Sequence, residues 1–480
     1  MDKKGGVFSN LAWKFAERIT AQLVSLVVSV ILARLLEPKH YGTIAIVMIF
    51  ITIANVFVSD GWGSALIQKK NADELDFYSC LYFTVALSIV LYIILFFCAP
   101  LISMFYGEGY EILTPVLRVL GIRLVLSAVN SVQQAAISRK MQFRMFFWAT
   151  LFGTVVSAVV GIFMAYKGFG VWALVAQYMI NTTVDTLVLA IIMKNKPKLM
   201  FSFTRLKGLF NYGWKILSSR LLLTGYQEVR AILIGKLYSS EDLAFYDKGK
   251  QFPSLLVTNI DSSIGAVLFP KLSQIQDDKL RLKETTRMSI RFSSYLLSPM
   301  MFGLASISTS FVTVLLTEKW LPCVPLMQMM CILYLFQPIN TANLQAIKAV
   351  GKSNIVLILE IIKISVQLVG LLLVLHVGVN AIVLMMTVLN VLLTFVNIIP
   401  NKKYLNYGVK EQLLDIFPSI AYGLLLFIIV SLFGLLSLAP IVMLIVQIVV
   451  GVFIYISLSV ITHNKEFSTL LSTFKSVFKK

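Results

Sequence analysis

The stretch "SNLAWKFAER", residues 9–18, opens the first apolar segment of the chain, and "FNYGWKILSSR", residues 210–220, opens a later one. Both begin with an asparagine that is followed by a tryptophan–lysine pair at the same distance. Two segments that begin alike indicate a duplicated unit, so the echo predicts a chain of two related halves. The matching residues are Asn10, Trp13 and Lys14 in the first copy and Asn211, Trp214 and Lys215 in the second.

The composition places the chain among membrane proteins. Of 480 residues, 58% are hydrophobic and 14% are charged, whereas soluble domains are about half apolar and about a quarter charged. A membrane-spanning helix needs about 20 mostly apolar residues, and the sequence offers about fourteen such runs, too long and continuous for barrel strands. The first run carries Lys14, Glu17 and Arg18, and no small-residue cleavage site follows it. We therefore expect an all-α membrane protein whose first run is retained rather than cleaved as a signal peptide.

The net charge of +19 would suggest a nucleic-acid partner in a soluble protein, but here its distribution points to membrane orientation. With the N-terminus in the cytoplasm, the loops assigned to the inside are rich in lysine and arginine, and those assigned to the outside are poor in both. The pattern predicts an even number of spans, both termini in the cytoplasm and no nucleic-acid partner. The basic residues of the outside loops are Lys39, Lys167, Lys236 and Lys319.

Further matching residues occur along both halves of the sequence. Asp60 matches Asp261, and Asn130 matches Asn340 at a slightly larger offset. Both copies enter the membrane from the same side, so the repeat is parallel, related by an axis along the membrane normal. We expect three regions. They are an N-terminal six-helix half (1–200), a second six-helix half (201–400), and two additional helices with a basic cytoplasmic tail (401–480).

Charged residues inside the predicted spans mark the candidate site. A charge in the bilayer is costly and usually faces an aqueous cavity or a partner. Basic residues outnumber acidic ones in these spans, which suits an anionic cargo. Glu360 and Lys363, three positions apart, are expected to pair with each other. The candidate cavity cations are Lys14, Arg18, Arg118, Arg123, Lys215, Arg220, Lys248 and Lys250.

Two matched pairs of residues leave alternatives open. Lys14 and Lys215 would lie at similar depths in the two halves, where they could hold a diphosphate through charge-assisted hydrogen bonds. Each could instead extend to the cytoplasmic interface beside its tryptophan. Asp60 and Asp261, near the inner ends of spans two and eight, could bind a coupling cation or proton or hold a gate. A role at a helix end is the alternative for both.

The sequence gives no catalytic, metal or cofactor residue. The four cysteines include no CxxC pair and the three histidines are scattered, so neither a zinc site nor a disulfide framework is expected. The stretch "AVGKS", residues 349–353, lacks the first glycine of a phosphate-binding loop and lies between two spans. We therefore expect no cofactor and no ATPase domain.

Two motifs resemble a known family. The run "LARLLEPKHYG", residues 32–42, and the run "LAFYDKGKQFPSLLVTNI", residues 243–260, resemble the polysaccharide-transporter branch of the MOP flippase superfamily. Gly249 stands where that family often has alanine. The similarity extends over essentially the whole chain and is strongest toward the subgroup that exports lipopolysaccharide-type, colanic-acid-type or teichuronic-type repeat units.

The resemblance implies a flippase rather than an enzyme. It would move undecaprenyl-diphosphate-linked oligosaccharide repeat units across the bacterial inner membrane for lipopolysaccharide O-antigen, capsule or exopolysaccharide synthesis. The two pseudo-symmetric halves would rock around a central cavity. The implied partners are the lipid-linked oligosaccharide and membrane lipid, with a polymerase and other polysaccharide-assembly proteins as further candidates.

Two other functions are considered. An ion-coupled multidrug exporter shares the general plan of this superfamily, but its site should be rich in acids, and the excess of basic residues argues against it. An integral-membrane polysaccharide polymerase acts on the same lipid-linked sugars. Such enzymes carry a sizeable outer loop, and the outer loops predicted here are short.

Overall fold

The computed structural model describes residues 3–193 and 198–478, with side chains from residue 19 onward except at positions 212, 266, 353, 473–474 and 476–478. Within these ranges the chain is helical, with one short 3-10 helix at Glu318–Trp320 and no strand. This confirms the predicted all-α class. The chain divides into two compact units, Met1–Ala244 and Phe245–Lys480.

The number of spans differs from the sequence-based count. In the described part of the chain, twelve helical segments are long and apolar enough to cross a membrane, and Ile19–Leu35 is a shorter apolar helix. The helix Phe203–Leu237 is 35 residues long but is not among the twelve, because charges such as Lys215, Arg220 and Arg230 interrupt its apolar character. The count of fourteen is therefore not confirmed, although the protein is a multi-pass membrane protein.

The first unit is built from helices α1 to α9. Helix α7 packs against both α1 and α8, α6 packs against α2, α4 and α8, and α9 packs against α2, α3 and α4. The bounds are α1 Lys3–Leu35, α2 Pro38–Ser59, α3 Trp62–Gln68, α4 Glu74–Tyr106, α5 Leu113–Gly121, α6 Arg123–Lys140, α7 Phe143–Tyr166, α8 Val171–Met193 and α9 Phe203–Leu237.

The second unit contains most of α10 and all later helices. Helix α11 packs against α12, α13, α16 and α17, and α15 packs against α12, α13 and α14. The bounds are α10 Ser240–Gln274, α11 Lys279–Leu316, α12 Cys323–Leu335, α13 Gln337–Ala349, α14 Ser353–Val374, α15 Val379–Leu405, α16 Val409–Phe433, α17 Pro440–Ile461 and α18 Lys465–Phe478.

Each unit contains a span that is broken into two helices, and the repeated asparagines lie just beyond the breaks. The first break is at Ile122, between α5 and α6, and the second is at Phe336, between α12 and α13. Asn130 on α6 donates to Asp185 on α8 at 2.9 Å. Asn340 on α13 donates to Thr394 on α15 at 3.1 Å. In each unit, therefore, an asparagine on the helix that follows a break joins that helix to a later helix of the same unit, at a different distance from the break in the two units.

A ladder of ion pairs fastens the last helices to α11. Its cations are spaced four residues apart, so they share one helix face. Lys283 reaches Glu411 at 2.8 Å, and Arg291 reaches Glu466 on α18 at 2.7 Å. Between them, Arg287 pairs with Asp415 on α16. Helices α16 and α18 are thus held to the second unit by charge as well as by apolar packing.

Candidate functional site

The first half of α9 carries several exposed polar and charged side chains. Lys215 and Arg220 are both exposed, as are Asn211, Ser218 and Ser219. Helix α9 packs against α2, α3 and α4 of the first unit. Two cations and several neutral polar groups therefore lie on a surface that the rest of the unit leaves uncovered.

A close backbone contact between two glycines holds α9 in this position. Gly61 and Gly213 are both buried, and a Cβ atom added at Gly61 would lie 2.6 Å from the carbonyl oxygen of Gly213. Gly61 also has a φ of 90°, which L side chains rarely adopt. Glycine at both positions lets the α2–α3 break approach the backbone of α9, just before Lys215.

Asp60 lies at this same break. It is half-buried and ends α2, where its backbone N–H donates to the carbonyl of Val56 at 3.1 Å. Its position fits the helix-end alternative in the sequence analysis. The contact between its neighbour Gly61 and α9 also keeps a gating role open.

The other candidate cations of the first unit are on α1, α5 and α6. Lys14 and Arg18 are on α1, but their side chains lie outside the part of the chain that the structure describes. Arg118 is half-buried, donates to the carbonyl of Phe96 at 3.3 Å and lies 4.2 Å from the centre of the Phe96 ring. Such a contact satisfies the guanidinium group locally.

Arg123 begins α6 directly after the helix break. Its Nε atom donates to the hydroxyl of Thr182 at 2.7 Å, and its guanidinium lies 5.5 Å from the centre of the Tyr178 ring. Both partners are on α8. Arg123 therefore joins the two helices that Asn130 also joins, and it holds the break against α8.

The two lysines of α10 differ in environment. Lys248 is only 5% exposed, donates to Gln251 at 3.1 Å and lies 5.6 Å from the centre of the Trp320 ring. Lys250 is half-buried and Asp247 is exposed. Lys248 therefore lies in the packed interior of the second unit, and the two lysines do not share one environment.

Asp261 lies on the continuous helix α10, and its repeat mate Asp60 lies at a helix break. The Oδ1 atom of Asp261 is buried and has no hydrogen-bond partner among the described residues. Thr341 and Gln337 on α13 lie close to the carboxylate. A buried carboxylate oxygen beside an amide and a hydroxyl could accept a proton or a small cation. Within the described residues, however, no cluster of three His, Cys, Asp or Glu side chains could hold a metal ion.

Reasoning from charge alone missed a set of neutral polar residues on α10. Gln251, Ser254, Thr258 and Ser262 recur every three to four positions and are exposed or half-buried. Their spacing places them on one helix face. That spacing is present in the sequence, but these residues carry no charge that would mark them within an apolar run.

The comparisons with known proteins agree with this architecture. A family model described as "Polysaccharide biosynthesis protein" matches residues 31–325. The succinoglycan biosynthesis transport protein ExoT of Rhizobium meliloti is 24% identical over 65% of this chain and 63% of that protein, a little under two thirds of its length. The teichuronic acid biosynthesis protein TuaB of Bacillus subtilis is 22% identical over 73% of this chain and 72% of that protein. The lipopolysaccharide biosynthesis protein WzxC of Escherichia coli K12 is 19% identical over 71% of this chain and 69% of that protein.

Solved structures show the same fold. The lipid II flippase MurJ, in an inward closed conformation, aligns with a TM-score of 0.75 and 15% identity over 94% of this chain and 99% of that chain. A multidrug resistance MATE family transporter of the MOP superfamily, in an inward-facing conformation, aligns with a TM-score of 0.64 and 15% identity over 80% of this chain and 94% of that chain. The matched family model covers more than half of the sequence, and the predicted resemblance is confirmed: the chain belongs to the polysaccharide biosynthesis protein family and has the fold of the MOP-superfamily transporters.

Proposed function

We propose that this protein is a flippase that moves undecaprenyl-diphosphate-linked oligosaccharide repeat units from the cytoplasmic to the outer leaflet of a bacterial inner membrane. The observation that carries the proposal is the exposure of two cations, Lys215 and Arg220, along α9 of a membrane protein. Exposed cations at such a place need an aqueous surface or an anionic partner. Membership of the polysaccharide biosynthesis family supports a lipid-linked glycan as that anion.

The chemistry of the substrate fits several parts of the chain. A diphosphate can be held by lysine and arginine through charge-assisted hydrogen bonds, and we assign this role to Lys14 and Lys215, with Arg18 and Arg220 as further contacts. Arg118, Arg123, Lys248 and Lys250 stay candidates that would act through the helices they fasten. Asp60 and Asp261 are proposed to couple an ion to transport or to hold a gate.

An apolar cavity in the second unit suits the lipid part of such a substrate. It has a volume of about 450 Å³ and lies among α10, α11, α16 and α17, with Leu256, Met300, Leu426 and Val452 in its lining. Its apolar lining can pack against a hydrocarbon chain through van der Waals contacts. The cavity therefore supports a substrate with a long hydrocarbon tail.

The proposed transport forms and breaks no covalent bond, so the protein acts as a transporter and not as an enzyme. The two halves would alternate around a central cavity, with both chain termini in the cytoplasm. A polymerase that joins repeat units outside the membrane is the proposed next component. We expect it to consume the lipid-linked unit once the unit has been moved.

Deletion of the gene in its native host tests the function. We expect loss of one surface glycan and accumulation of lipid-linked repeat units that are protected from a glycosidase added outside the inner membrane. Restoring the gene should reverse both effects. Normal display of the glycan in a deletion strain that has no second exporter would contradict the proposal. A deletion strain that instead becomes sensitive to cationic drugs would favour the multidrug alternative.

A further inference from the structure

One face of α10 carries polar groups and differs in composition from the apolar exposed faces of this protein. It is formed by Asp247, Gln251, Ser254, Thr258 and Ser262, and we call it the α10 polar face. Asp247, Thr258 and Ser262 are exposed, and Gln251 and Ser254 are half-buried. The five residues follow one another at intervals of three or four, which places them on one side of the helix.

The back of α10 is firmly packed, which fixes the direction of the polar face. Phe252 meets Phe311 of α11 with ring centres 4.9 Å apart. A Cβ atom added at Gly249 would lie 3.0 Å from Leu326 of α12. Leu268 belongs to a core cluster that includes residues of α11 and α13. The polar face is turned away from these contacts.

The α10 polar face differs from other exposed helix faces in the side chains that it presents. On α4 the exposed positions include Val90, Ile94, Phe97 and Leu101, which are between 51% and 71% exposed. Lipid favours such side chains, and polar groups in a span usually face an aqueous cavity. The α10 polar face has no aliphatic side chain at its five positions.

The charge on this face separates its role from that of α9. Residues 251–265 of α10 contain no lysine or arginine, so this length of helix offers nothing to neutralise a phosphate. Thr258 directs its hydroxyl hydrogen to the carbonyl of Ser254 at 2.7 Å, and its oxygen keeps acceptor capacity toward the outside. Amide and hydroxyl groups of this kind suit a ligand that is rich in hydroxyl donors.

We infer that the α10 polar face binds the sugar part of the substrate and sets which repeat unit is accepted, an inference that rests on the proposed function. Successive members of the face lie about 5 Å apart along the axis, which is comparable to the length of one pyranose ring. Hydroxyl groups of consecutive sugars could therefore meet consecutive side chains.

The test compares two substrates in proteoliposomes. One is undecaprenyl diphosphate that carries the complete repeat unit of the native host, and the other carries only the first sugar. The variants are Thr258→Val, Ser262→Ala and the double variant. Thr313→Val on α11 is the matched control, because Thr313 makes the same exposed hydrogen bond to the carbonyl four residues earlier, at 2.9 Å.

We expect the double variant to flip the complete repeat unit about fivefold to tenfold more slowly, as the loss of one or two neutral hydrogen bonds predicts. Its rate on the single-sugar lipid should change less than about twofold, and Thr258→Ser should retain most activity. Equal loss on both lipids, or no loss on either, would overturn the inference and leave the flippase function standing. A wild-type protein that flips neither lipid would overturn the proposed function and this inference with it.

Discussion

Two parallel hydrogen bonds of 2.7 Å join the guanidinium group of Arg287 to the carboxylate of Asp415. The hydroxyl of Tyr407 donates to the same carboxylate at 2.8 Å. The side chain of Asp415 is 5% exposed and that of Arg287 is 40% exposed. A carboxylate that is buried in this way is stabilised by its hydrogen-bond and ion-pair partners, because burial has removed its hydration water.

Arg287→Gln should therefore destabilise the second unit. We expect a loss of about 2–4 kcal/mol, since it leaves a buried carboxylate without its cation. The control is Arg281→Gln on the same helix. Arg281 pairs with Asp278 at 3.3 Å, but the two side chains are 74% and 47% exposed, so less than about 1 kcal/mol should be lost. Thermal unfolding in detergent, followed by size-exclusion chromatography, measures both, and equal shifts would contradict the assignment.

The close contact between Gly61 and Gly213 predicts that alanine substitutions at the two positions destabilise the protein to different extents. Gly61→Ala should destabilise the first unit by at least about 2 kcal/mol, because it strains a positive φ and brings Cβ against the backbone of α9. Gly213→Ala should cost less, since its Cβ would lie 3.1 Å from the Gly61 oxygen in an ordinary helix. Gly225→Ala is the control on α9, because nothing lies within 4 Å of its added Cβ.

The control should be neutral or stabilise the protein by up to about 1 kcal/mol, as alanine favours helix. The yield of folded protein in the membrane and its melting temperature rank the three variants. An equal effect of all three would show that the backbone approach does not matter.

The sequence allowed the class and the family to be predicted, because apolar run length and local motifs are properties of the chain itself, whereas the division into two related halves stays a prediction. The match of Asn130 to Asn340 was visible in the sequence, and the structure shows the hydrogen bond that each side chain makes to another helix. The helix breaks were not predicted, and the predicted count of fourteen spans is not confirmed. Gly121 directly precedes the break at Ile122, but an isolated glycine is tolerated inside a helix and does not by itself mark a break.

Side-chain environment could not be predicted either. Lys248 and Lys250 are two positions apart and equally basic in the sequence. Lys248 is buried because Trp320, from the short helix after α11, lies over its ammonium group. Such a contact joins residues far apart in the chain, and a single sequence gives no sign of it.

The orientation of the spans leads to a labelling experiment. We expect single cysteines in place of Lys70, Lys140, Lys207 or Lys403 to react only with reagent in the cytoplasm, because basic loops stay inside. Single cysteines in place of Lys167 or Lys319 should react only from outside. The background needs replacement of Cys98, which is half-buried, and of Cys80, Cys323 and Cys331, which are buried. If the cysteine at position 167 reacted with reagent in the cytoplasm, the predicted orientation of α7 would be contradicted.

The last prediction concerns the lysines of the repeat. If Lys14 and Lys215 together hold the diphosphate, Lys14→Ala or Lys215→Ala should reduce export strongly while folded protein remains in the membrane. The double variant should lose little more than either single one, because residues that act as a unit are not additive. Lys14→Arg should keep more activity than Lys14→Gln, since the phosphate needs the charge.

If the two lysines only extend to the membrane interface, we expect a different pattern of export among these variants. Such a side chain tunes depth in the membrane, so alanine or glutamine should be tolerated. Lys207→Ala supplies the control on the same helix, because Lys207 is exposed at the basic start of α9 and should be dispensable. Export of the repeat unit, normalised to the amount of membrane-inserted protein, separates the two roles. Near-normal export by the double alanine variant would exclude the paired lysines and would leave Arg18 and Arg220 as the leading phosphate contacts.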